Sequence, residues 1–161
     1  MTFLDVLTWV EETPLAGAVR GGRWIYPLTE SAHLIGLATM FGAIAVFDLR
    51  LLGFARRVPV SGLARQALPW SRAGFGLAAA SGSLLFSANA TQVAYNPAFQ
   101  VKMVLIGAAA LNVLVFHTGV FRTVEHWDTA ARTPPSARAA AVVSLIAWPT
   151  VIVCGRLIAY L

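Results

Sequence analysis

"PLTESAHLIGLATMFGAIAVFDLRLLGF", residues 27–54, is long and apolar enough to lie in lipid, yet it holds Glu30, His33, Asp48 and Arg50. A helix crosses about 30 Å of hydrocarbon with roughly 20 predominantly apolar residues. A charged side chain at the centre of such a helix costs roughly 2.5–3.5 kcal/mol on insertion scales. Ionisable groups kept in a segment of this kind therefore turn toward the protein interior, where they anchor helices to one another or serve a function.

The rest of the chain has the same character. Of its 161 residues 58% are hydrophobic and 12% charged, against about 25% charged in a soluble domain. The sequence predicts an all-α fold: a polytopic membrane four-helix bundle formed by residues 1–161 as one domain. Spans are expected at about 28–54, 69–89, 98–120 and 138–161, with Pro27, Pro69 and Pro97 at or just before helix starts. Residues 1–26 read as an extracytoplasmic interfacial segment. Phe3, Leu4, Leu7 and Val10 share one side of a short helix, and Trp24 and Tyr26 suit headgroup depth.

Charge sets the expected direction. Arg50, Arg56, Arg57, Arg65, Arg72, Arg122, Arg132 and Arg138 fall at one end of the bundle, while Arg20, Arg23, Lys102 and Arg156 fall at the other. Cytoplasmic loops collect the arginines, so both termini are expected outside a bacterial inner membrane. The formal charge of +5 is then explained by anionic headgroups, and no nucleic-acid motif accompanies it. One cysteine, Cys154, excludes an internal disulfide. Hydrolase and nucleotide chemistry have no motif to support them.

Helical geometry sorts the polar residues into two layers. At about 100° per residue, Glu30 and Asp48 each lie about 60° from His33, while Arg50 points about 100° the other way. Lys102 and His117 are likewise about 60° apart. His33 and Lys102 each follow a helix start closely and form an outer layer. Asp48 and His117 come fifteen residues later in each case, about 22 Å further along the axis. They form a secondary polar layer with Arg50, Ser71 and Arg72 within reach. A haem clamped between His33 and His117 is excluded, because the two histidines differ in depth by most of the membrane.

His33 is the candidate metal ligand. Neutral imidazole in an apolar bundle is what haem iron takes; Glu30 is the expected partner fixing its ring, and Lys102 the cation beside a propionate. A structural histidine and a proton relay remain open, as does a copper ligand assisted by Met40, Met103 or Cys154. The expected cofactor-binding set is thus His33, Glu30 and Lys102. The cofactor is haem b with copper as the alternative, and the partners are the bilayer and a redox or metal-handling protein. A cofactor-free transport or assembly subunit is the reading from a different class.

A resemblance follows from particular stretches. "YP-x-x-ES-x-H-x-x-G" (Tyr26 to Gly36), "DLRLLG" (Asp48 to Gly53), "PVS" and "LPW" (Pro59 to Trp70), and "NPAF-x-x-K" with "ALN" (Asn96 to Asn112) resemble an uncharacterised family of short bacterial four-helix membrane proteins. A looser similarity extends to the HemJ-type haem-binding membrane oxidases, which implies haem-related roles for His33, Arg50 and Lys102. Another extends to the CopD-type copper-resistance proteins through Lys102 and Asn112. The spacing from Lys102 to His117 is longer than in HemJ-type proteins, and that from Lys102 to Asn112 is shorter than in CopD-type ones.

Overall fold

The computed structural model describes residues 2–129 and 132–161. Thr2 opens α1 (Phe3–Glu11) with a reciprocal cap: its hydroxyl accepts from the Asp5 N–H at 3.2 Å, and its own N–H donates to the Asp5 carboxylate at 2.6 Å. Thr13 caps α2 (Pro14–Gly21), whose first residue is the proline that needs no N–H partner there. Four long helices follow: α3 (Ile25–Leu52), α4 (Val60–Ala88), α6 (Pro97–Thr118) and α7 (Pro135–Leu157). The short α5 (Ala90–Ala94) turns the chain between α4 and α6, and a 3-10 segment (Val120–His126) follows α6. No strand occurs among the described residues.

By length and apolarity, three segments suffice to cross a membrane: Ile25–Leu52, Pro97–His126 and Pro135–Leu157. Only 11% of the most apolar stretch of the second is buried, and Val104 on it is 72% exposed. A surface that greasy needs lipid to cover it. The helix that carries the expected span at 69–89 starts earlier than its proline suggests. α4 begins at Val60, and Pro69 lies inside it rather than at its start. Val60, Ala64 and Ala67 recur at helical spacing and are buried, so packing draws this stretch into the helix. α4 has 29 residues, ample length for a crossing, but its buried face is alanine, glycine and serine, which lowers its hydropathy.

Those small residues decide the packing. A Cβ on Gly36 would lie 2.7 Å from the Ala78 nitrogen, and one on Gly74 would lie 2.5 Å from the Met40 nitrogen. α3 and α4 therefore touch backbone to backbone, the use small residues have between membrane helices. α3 also packs on α7, and α7 on α6. Among the described residues neither α4 nor α3 comes close to α6 at the backbone. A crevice between α4 and α6 results, floored by α3 and α7. The stacked rings of Phe86 and Phe99, 5.3 Å apart, bridge it near one end.

Each end of the bundle is tied by polar bonds. At the N-terminal end, the Glu11 carboxylate accepts from the Thr91 N–H and hydroxyl, both at 2.9 Å. Arg20 donates to the Ala88 and Glu11 carbonyls at 3.0 and 3.2 Å. At the opposite end Arg50, 2% exposed, donates to the carbonyls of Val58 (2.6 Å), Arg56 (3.3 Å) and Asp128 (3.2 Å). Asp128 in turn accepts from the Ser61 N–H and hydroxyl at 2.7 Å each, capping α4 from a distant loop. Arg50, expected within reach of Asp48 in the secondary polar layer, makes its hydrogen bonds elsewhere. Arg50 points to the loops, as its helical angle implies, and Asp48 bonds Ser144 on α7.

Two outcomes follow. Gly74→Val forces a side chain into the Met40 backbone and should destabilise the protein by about 1–3 kcal/mol. Gly42→Ala, whose added methyl meets nothing within 4 Å, should stay within about 0.5 kcal/mol; unfolding in detergent micelles measures both. The second concerns pH. The Ser61 N–H, then the Ser61 hydroxyl and Arg50, hold the Asp128 carboxyl below its ordinary value. The stability this lends is present above the ordinary carboxyl pKa and is lost as pH falls through the lowered one. Thermal unfolding followed from about pH 7 to about pH 3 should show that loss in the wild type and a flatter profile in Asp128→Asn.

Candidate functional site

The crevice holds two cavities. The outer one, about 480 Å³, is lined by His33 and Met40 from α3, Ala78 and Gly82 from α4, Lys102 and Met103 from α6, and Trp148 from α7, among others. The inner one, about 270 Å³, is lined by Asp48, Ser71, Arg72, Asn112, His117 and Ser144 together with apolar walls.

His33 is half-buried and turned toward α4. Its Nδ1 lies 2.8 Å from the Ala78 carbonyl and 3.3 Å from the Ser81 hydroxyl. A carbonyl only accepts, so Nδ1 carries the proton and the neutral ring keeps a lone pair at Nε2. The ring rests on Gly82: a Cβ there would stand 3.0 Å from the His33 Cε1. Glycine at position 82 thus leaves the imidazole its place. Fixing one nitrogen so that the other is free is how proteins prepare a metal-binding histidine.

Lys102 shares this cavity. Its Nζ lies over Gly155, where a Cβ would be 3.4 Å away, and it makes no hydrogen bond or ion pair among the described residues. Glu30 does not join the cavity lining. It is exposed and reaches the His33 ring only through space, so the orienting role expected of it falls to the Ala78 carbonyl. Cys154 is buried beside Lys102, and Arg156 instead bonds the Tyr160 hydroxyl at 3.2 Å. Among the described residues no group of three or more His, Cys, Asp and Glu side chains is placed to hold a metal ion.

In the inner cavity the expected neighbours Asp48 and His117 both line the wall, and Arg50 does not. His117 Nδ1 donates to the Val113 carbonyl at 2.9 Å. Asn112 donates to the Ala140 carbonyl at 3.0 Å, linking α6 to α7. Ser81, Ser144 and Trp148 were not legible as site residues. A serine in an alanine-rich helix most often bonds its own backbone, as Ser81 also does with the Leu77 carbonyl.

Long apolar helices, a lipid-facing surface and a lateral crevice with polar groups at its floor define an all-helical integral membrane protein. Its residues 6–161 match the model of a family of unknown function, DUF6644. The chain belongs to that family. No curated protein and no solved structure matches it.

Proposed function

We propose that the outer cavity binds a planar, amphipathic redox cofactor, b-type haem, in a membrane electron-transfer or metal-handling system. The observation that carries this reading is the 2.8 Å bond from His33 Nδ1 to the Ala78 carbonyl, which leaves Nε2 free in an apolar cavity. The residues present suit the group. About 480 Å³ falls within the roughly 300–1,000 Å³ of ligand sites, and Met40, Phe75, Phe86 and Ile106 supply apolar walls. Lys102, with no hydrogen bond or ion pair among the described residues, provides the cation for an anionic substituent.

The chain's own residues then have distinct tasks. The Ala78 carbonyl sets the tautomer of His33 and the direction of its lone pair. Gly82 admits the ring. The Phe86–Phe99 stack restricts water from one end. Bound haem would supply one-electron redox chemistry. A second reading, copper, is favoured by one observation: the thioethers of Met40 and Met103 line the same cavity as His33, and soft sulfur with imidazole suits copper(I). The arginine asymmetry supports both termini lying outside the bacterial inner membrane.

The visible spectrum of the detergent-purified protein, oxidised and dithionite-reduced, tests the cofactor together with metal analysis. A Soret band is expected, abolished in His33→Ala and kept in Glu30→Ala. Stoichiometric copper without that band selects the second reading. A colourless, metal-free preparation after expression with ample haem and copper overturns both and leaves a cofactor-free transport or assembly subunit. Orientation has its own check: a tag after Leu161 should be accessible from outside intact cells, and a protected tag reverses the topology.

A further inference from the structure

The inner cavity contains two buried polar atoms that no described residue satisfies. Asp48 is 5% exposed. Its carboxyl group is hydrogen-bonded to Ser144, while its Oδ2 is buried with no partner among the described residues. His117 donates through Nδ1 to the Val113 carbonyl, which in the neutral ring leaves Nε2 as an acceptor, and that atom too is buried without a partner among the described residues. Leaving a buried polar group unpaired costs about 1–3 kcal/mol, more for a charged one. Two such acceptors on the wall of one cavity, contributed by α3 and α6, call for a guest that brings hydrogen-bond donors. The last torsions of aspartate and histidine have broad wells, so a modest turn presents each acceptor to such a guest.

Charge, shape and access narrow the guest. Arg72 already brings a positive charge to this wall. A neutral guest adds none, whereas a cation would place a second charge beside Arg72. Phe47 and Phe116, both buried and edge-to-face at 5.9 Å, offer aromatic walls that favour a ring. About 270 Å³ suits a single substituted ring. The crevice opens sideways between α4 and α6, so the guest comes from the lipid and can leave an apolar tail there.

We infer that the inner cavity is a binding site for the head of a lipid-soluble hydroquinone, whose hydroxyl groups donate to Asp48 and His117. The site is separate from the outer cavity and does not depend on what the outer cavity holds.

The test places the full chain in phosphatidylcholine nanodiscs under argon and titrates it with decylubiquinol and with its di-O-methyl ether, which has the same ring and tail but no donors. Calorimetry against empty nanodiscs reads the binding. Saturable binding of decylubiquinol to one site is expected, about tenfold weaker for the ether and about tenfold weaker in Asp48→Asn and in His117→Leu. His33→Ala should bind as the wild type does. Equal affinity for hydroquinone and ether, or no heat beyond that of empty discs, overturns the proposal. So does a loss confined to His33→Ala, which would put the ligand in the outer cavity. If either inner variant fails to assemble, the comparison of the two probes on the wild type decides. The spectrum that tests the outer site is recorded without added quinol, so the two readings fail independently.

Discussion

The backbone contact of α3 with α4 at Gly36 and Gly74 is the constraint from which the cavity architecture follows. An α-helix with ordinary side chains keeps its neighbour about 8–10 Å away, axis to axis. Glycine removes that spacer, and the two helices close until main-chain atoms meet. α4, drawn against α3 on one side, has no close backbone approach to α6 on the other. The volume saved at one interface reopens at the next as the crevice. Lipid supplies no hydrophobic drive for α4 and α6 to close that gap, since acyl tails solvate apolar side chains as well as a neighbouring helix does.

Holding this arrangement in register falls to the polar ends. Arg50 is buried at the loop-facing end of α3, where an uncompensated guanidinium would be expensive. Its bonds to three carbonyls in two loops give its donors partners. One of those carbonyls belongs to Asp128, whose side chain caps α4. A single cation thus links the end of α3, the loop that follows it, the start of α4 and the segment before α7. Arginine suits this place because its planar group presents several donors at fixed angles and remains charged. The Glu11–Thr91 and Arg20–Ala88 bonds do the equivalent work at the other end, fastening α1 and α2 over the α4–α5 corner.

How much of this was legible depends on the distance over which each interaction acts. Apolar length alone located α3, α6 and α7, because membrane crossing is a local property of twenty or so residues. The start of α4 is not legible in the same way: Pro69 is a start signal by itself, and only the burial of Val60, Ala64 and Ala67 against other helices overrides it. The fifteen-residue spacings from His33 to Asp48 and from Lys102 to His117 were readable as two depths, since rise per residue is fixed by the backbone. The partner of His33 was not. Glu30 sits at the right spacing along the chain, but the group that binds the ring is a carbonyl of α4, and a carbonyl belongs to every residue. Nor could the sequence show that Arg50 would serve loops while Asp48 turned to Ser144, because both outcomes rest on contacts between distant segments.

The middle of the crevice bears on what the two cavities can do together. About 22 Å of helix separates His33 from Asp48, and the floor between them is apolar. Met40 and Ala109 are almost fully buried, and Ala147, Trp148, Leu37 and Ile44 pack around them. Trp148 brings the polar atom among these residues, an indole N–H with no partner among the described residues. A continuous hydrated path would need acceptors and donors at successive steps of a few ångströms, and this layer presents a single unpaired donor. This apolar layer therefore sets the polar groups of one cavity apart from those of the other.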